Sequence, residues 1–205
     1  SPHGAVNIRG GTGVQVAIVD GESGRMLGTV DGGRAPATAH PGAVHIHQGE
    51  SFVVDELDLD AGLALVHAEQ PEWNTSAREV TDISITAVHE SVDYGEVRVA
   101  LVQVNVTHQV VGYLRRLLSG EVLDSIELDM PAQTLDTRAV MYTITPELLE
   151  HSGVPYERFP GSLHAAEHAA IGLLPLVATC DRWDIGGVST ALHPDTGLPT
   201  VFVYD

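Results

Sequence analysis

The sequence predicts an α+β protein with a small β-barrel-like unit over residues 1–72. A larger, mostly antiparallel sheet follows over 77–205, with one buried helix near its end. Three observations predict this. Short alternating apolar segments recur at close intervals through the first third, parted by Gly- and Asp-containing turns. The middle third carries longer runs rich in Val, Ile and Thr. Helical patterning is confined to the last quarter.

Val14 to Val19 (VQVAIV) reads as a strand, Gly21 to Gly24 as a turn, and Met26 to Val30 as its hairpin partner. Ala35 to Ala39, broken by Pro36, has room for one helical turn. Strands are expected at Ala43 to His47, Phe52 to Leu57 and Leu63 to Ala68. The polar stretch Pro71 to Ser76 reads as a joint. Beyond it, Ile83 to His89 and Glu96 to Tyr113 form a long pair around Gly95, and Val122 to Leu128 and Thr137 to Ile144 extend the sheet. Thr145-Pro146-Glu147 starts a short helix, with Thr145 as cap and Pro146 in the first helical position, and Gly153 ends it. The main helix is expected from about Ser162 to Ala178, with Ser162 as cap and apolar residues around most of its circumference. Thr200 to Tyr204 closes the sheet.

Charge narrows the functional classes. Ten basic residues face 28 acidic ones, a net charge of −18, and every basic residue is Arg. Such a balance counts against a free-standing DNA-binding domain, which normally presents a basic face. Without Lys there is no G-x-x-x-x-G-K-[ST] phosphate loop, so this segment is expected to have no ATPase site. A single Cys180 excludes an internal disulfide and a cysteine-rich metal site, and fits a reducing, cytoplasmic setting. No apolar run reaches membrane-spanning length, so no membrane partner is expected. The sequons at Asn74 and Asn105 read as chance matches.

Several clusters carry possible chemistry. His164-Ala-Ala-Glu167-His168 matches the H-x-x-E-H spelling of one metalloprotease class. On a helix the two imidazoles lie four apart on one face, with Glu167 beside them, which would suit a zinc-dependent hydrolase. A third ligand would have to come from elsewhere, Glu147 and Glu150 being candidates; the alternative is that the pair packs and bonds within a buried helix. His45 and His47 share one strand face, with Glu50 close behind, but an exposed strand explains them as well. Cys180 could act as a nucleophile with His164 or His168 as base, or be a small buried hydrophobe. Asp184, Gly186 and Gly187 read as a backbone turn and close approach. Arg115 and Arg116, the one adjacent basic pair, could contact a phosphate backbone or pair with surface carboxylates.

The run Leu163 to Thr190 (LHAAEHAAIGLLPLVATCDRWDIGGVST) and the ending Pro199 to Asp205 resemble the superfamily 2 DEAD/DEAH-box-like helicases that carry a C-terminal region of the MrfA or Hrq type. His40 to Ala43, His47 to Glu50 and Val54 to Leu57 agree. The resemblance implies an accessory segment of an ATP-dependent, 3′-to-5′ DNA-repair helicase, guiding DNA and bracing motor domains in cis. It implies that ATP, Mg and a structural zinc belong to the parent outside this chain, which stops before the family's cysteine cluster. No metal or cofactor is expected in the segment itself. Arg115, Arg116 and Arg182 are then the candidate DNA contacts. His164, Glu167, His168, Asp184, Gly186 and Gly187 form the family-core motif, with a structural role. A pure protein-interaction module is the remaining alternative.

Overall fold

The computed structural model describes residues 6–7, 13–180 and 185–205. The chain is mixed α+β and consists mostly of strands. It divides into two compact units, residues 1–81 with 107–135 and residues 82–106 with 136–205.

The first unit holds a half-barrel sheet of five strands: β2 (Gln15–Asp20), β3 (Met26–Asp31), β4 (Val44–His47), β5 (Glu50–Asp58) and β6 (Leu63–Ala68). Their order is β3-β2-β6-β5-β4, and β2 pairs with β6 in parallel while the other pairs are antiparallel. Alternation puts Val16, Ile18, Phe52, Val54, Ala64 and Val66 on one buried face, beneath Leu27, Ala35, Ala39 and Ala43. Register shifts at Ile18/Val19 and Val54/Glu56 mark bulges, which bend a sheet toward closure. The single turn α1 (Ala35–Thr38) forms despite Pro36, because Pro36 sits where a helix has no N–H to lose.

The larger sheet runs β11 (Gly186–Thr190), β12 (Thr200–Tyr204), β10 (Gln133–Ile144), β8 (Val97–Leu117), β7 (Trp73–Tyr94), with β9 (Val122–Glu127) on β8 and β1 (Val6–Asn7) parallel to β10. Strand β7 differs from expectation. It starts at Trp73, inside the polar stretch read as a joint. Trp73 and Thr75 turn inward between exposed Glu72 and Asn74, and the Thr75 hydroxyl accepts a hydrogen bond from Val44 N at 2.9 Å. Tertiary pairing outweighs the low strand preference of Asn and Ser here. In the second unit, β8 buries Ala100, Val102, Val104 and Val106 in strict alternation. A hairpin turn at Gly95 (φ 65°) joins β7 to β8, as expected.

Helix α2 (Pro146–His151) begins as predicted. Thr145 Oγ1 accepts from Leu148 N, and Gly153 follows the helix at φ 76°. The main helix, α3, spans Phe159–Leu173 and corrects the expected 162–178. It starts with Pro160 in its first turn, so Ser162 is not its cap. Pro175 ends it, because proline supplies no N–H and clashes with the preceding turn, and a 3-10 turn at Leu174–Leu176 completes the segment. Its buried residues are one row, Phe159, Leu163, Glu167 and Ile171, four apart on one face. Leu163 and Ile171 pack on Val201 and Val203 of β12.

One local anchor in the first unit links sequence to packing. His40 is 1% exposed and stacks on Tyr113 with ring centroids 4.6 Å apart. Gly42, two residues on, has φ 84° and lies so close to the Tyr113 hydroxyl that a side chain would strike it. Gly42→Ala therefore combines left-handed backbone strain of roughly 1–2 kcal/mol with displacement of Tyr113. We expect a clear fall in melting temperature by thermal denaturation, whereas Gly24→Ala, also at positive φ but facing open space, should show the strain alone.

Candidate functional site

His164, Glu167, His168, Gly186 and Gly187 meet where α3 crosses β11 and β12. Both Gly186 and Gly187 lie in β11, paired with Tyr204 and Val203 of β12. A Cβ on Gly187 would come within 2.6 Å of Glu167 Oε1, and one on Gly186 within 2.5 Å of the Tyr204 ring. Two consecutive glycines thus clear the space that the Glu167 side chain and the Tyr204 ring fill. Glu167 is 5% exposed, a burial that carboxylates accept only with compensation. Its Oε2 lies 3.2 Å from His164 Nδ1. His164 in turn meets His168 one helical turn on, Nε2 to Nε2 at 3.0 Å with the rings nearly perpendicular. The chain of contacts runs from the buried carboxylate through His164 to exposed His168.

Two tyrosines that sequence reading did not single out belong to this environment. Burial pushes the Tyr204 hydroxyl up to about 12, and the negative charge of Glu167 adds to the effect. The same two causes raise Tyr142. The continuous apolar run TVFVY is buried on both faces, which accounts for the burial of Tyr204, but its closeness to Glu167 depends on how strand and helix pack.

The other candidates fare differently. Among the described residues, the one set of three His, Cys, Asp or Glu side chains converging for a metal is His164, Glu167 and His168, whose ligand atoms all lie within 4.8 Å. His45, His47 and Glu50 do not converge in this way, nor do Glu147 and Glu150 join the cluster. Burial pushes the His45 imidazole down, and the neighbouring His47 charge does the same. Cys180 directs its thiol at the Ala178 carbonyl, 3.7 Å away, and not at either histidine. Arg115 is committed: Nε donates to Asp124 Oδ1 at 2.7 Å, a second bond joins the same carboxylate, and the guanidinium lies 4.8 Å from the Trp73 ring centroid. That pairing pushes the Asp124 carboxyl down. Arg116, next along β8, is exposed. Arg182 and Asp184 lie outside the described residues.

Residues 166–205 match the MrfA Zn-binding domain family. The chain is 27% identical to the ATP-dependent helicase HRQ1 of Saccharomyces cerevisiae across 88% of its own length. It is 26% identical to the uncharacterized ATP-dependent helicase YprA of Bacillus subtilis across all of it. The fold matches the crystal structure of the DUF1998 helicase MrfA bound to DNA, with a TM-score of 0.74 over 93% of this chain at 24% identity. The complex of MrfA with DNA and AMPPNP gives 0.64 at 25% identity. By sequence and by fold the chain is similar to the C-terminal region of MrfA/Hrq-type helicases. It spans 17% of HRQ1, 27% of YprA and 26% of the DNA-bound MrfA chain.

The family's name implies zinc, and the described residues test the fit. A closed structural zinc site needs four nitrogen or sulfur ligands. Within the matched span, His193 has Nε2 on the Ile83 carbonyl at 2.8 Å and Nδ1 accepting from Asp195 N at 3.2 Å, so its ring is occupied by backbone. Cys180 is the lone thiol. The described residues therefore do not assemble a closed four-ligand site, and what they offer a metal is the imidazole pair on α3.

The raised Tyr204 has a measurable consequence. A hydroxyl whose pKa rises on folding contributes stability that is intact below its unfolded value, near 10, and is lost as pH climbs toward about 12. Denaturant unfolding should show stability declining across that interval, more shallowly in Tyr204→Phe, and tyrosinate absorbance of the native chain should retain a late-titrating group that the variant lacks.

Proposed function

We propose that this chain is an accessory region of an ATP-dependent DNA helicase, which helps guide DNA and braces motor domains on the same polypeptide. The observation that carries the reading is alignment along 88–100% of this chain with helicases of which it is about a sixth to a quarter. The whole protein would hydrolyse ATP with Mg in those motor domains, translocate 3′-to-5′ and serve DNA repair, as the family resemblance implies, and the single cysteine suits a cytoplasmic setting. A structural zinc would lie in the parent outside these residues.

Net charge of −18 and the pairing of Arg25, Arg78, Arg98 and Arg115 with carboxylates argue for a small, local DNA contact. Arg116 suits a phosphate best because it is exposed at the end of β8, beside the Arg115–Trp73 stack. Arg115 and Arg182 are the remaining candidates. Bracing is supported by the apolar segment at the end of α3 and just beyond it, where Leu173, Leu176 and Val177 are 60%, 78% and 88% exposed. Contiguous exposed apolar residues of this kind mark protein contacts.

Fluorescence anisotropy with a single-stranded oligonucleotide tests the DNA contact. The chain should bind at low salt, with affinity falling as salt rises. Arg116→Ala should weaken binding and flatten the log–log salt slope by about 0.7. Absence of salt-sensitive binding by the native chain would remove the DNA role. Failure to bind separately expressed motor domains would remove the bracing role.

A further inference from the structure

The imidazole pair on α3 can do more than pack. We propose that His164 and His168 form a solvent-open binding site for one divalent transition-metal ion, with zinc the best fit, and that buried Glu167 fixes His164 in the ligating tautomer. The site is distinct from the DNA contact proposed above and does not depend on it.

The protonation pattern follows from the hydrogen bonds. Glu167 is an acceptor, so His164 Nδ1 carries the proton directed at Oε2, and His164 Nε2 keeps its lone pair. That lone pair accepts from His168 Nε2–H at 3.0 Å in the metal-free helix. A metal would replace this N–H···N bond with two nitrogen–metal bonds. The His168 proton then moves from Nε2 to Nδ1, and no net proton is lost. A carboxylate behind the ligating imidazole is the usual way a protein fixes tautomer and ring orientation and raises ligand basicity.

Distances permit the ion with small motions. Two nitrogens 3.0 Å apart subtend about 95° at a metal roughly 2.05 Å from each, and opening them to about 3.4 Å gives the tetrahedral angle. Both rings are exposed on their helix, so a modest rotation supplies the difference. Imidazole nitrogen selects zinc, nickel or copper over magnesium and calcium, which prefer oxygen. Glu167 lies behind His164, bonded to its Nδ1 and packed against Gly187, which leaves the two Nε2 atoms as the ligands. Two imidazoles leave the remaining coordination positions to water or to a side chain from another segment.

Titration calorimetry of the purified chain with zinc chloride alone, repeated with magnesium chloride, tests the site. One zinc per chain and no magnesium is the expected result. His168→Gln, which leaves the His164–Glu167 bond in place, should weaken zinc binding at least tenfold, and the double variant His164→Gln/His168→Gln, with its native circular-dichroism spectrum retained, should lose it, while His45→Gln/His47→Gln should keep it. No zinc on the native chain, or equal binding by the α3 double variant, would overturn the proposal. Long-range proton–nitrogen spectra of the loaded chain should show His164 bound through Nε2 with Nδ1 protonated. Coordination through Nδ1 would overturn the part assigned to Glu167.

Discussion

A carboxylate buried against two glycines sets the terms for the second unit. For α3 to lie on β11, the strand must present no side chain where Glu167 and Tyr204 sit, and Gly186 and Gly187 meet that requirement. Leu163 and Ile171, four residues to either side of Glu167, then reach Val201 and Val203. The helix, the glycine strand and the closing strand are thus one packing problem with a polar group at its centre. Burying that group is unfavourable unless it is bonded, and His164 supplies a bond from the same helix. Placement of the two histidines at the surface follows from the same constraint, since α3 cannot rotate without exposing Glu167 or driving it into β11.

Elsewhere the fold relies on apolar alternation with polar fixings at its turns. In the first unit His40, Gly42 and Tyr113 interlock. In the second, His193 and Asp195 hold their loop to β7 through the Ile83 carbonyl and the Ile85 N–H. The acidic excess plays little part in holding the fold. Its ion pairs are mostly exposed, and pairs of that kind contribute about 0–1 kcal/mol each. The excess matters for recognition instead, because it limits where a polyanion can approach.

Local pattern made much of the fold legible. Strands β2 to β6 are recoverable to within a residue or two because each buries one face and so alternates. The Thr145-Pro146 start of α2 is legible because a cap and an N1 proline act within one turn. What escaped depends on distant partners. Trp73 to Ser76 look like a linker until Val44 and the Arg115 side chain are set beside them. The end of α3 was legible in principle, since Pro175 is visible, but the apolar run through Ala178 masked it. At the site, spacing alone puts His164, Glu167 and His168 on one helix face. It does not reveal that Glu167 points inward while the histidines point out. Gly187 decides that, twenty residues later, along with Tyr204 on the strand beyond.

Glu167 and Gly187 are mutually dependent, so that the motif is first of all a packing device. A double-mutant cycle of Gly187→Ala and Glu167→Ala, read as unfolding free energy in denaturant, tests it most directly. Gly187→Ala should destabilise the native chain strongly and the Glu167→Ala background far less, with a coupling of about 1 kcal/mol or more. Additive effects, within about 0.3 kcal/mol, would contradict the account.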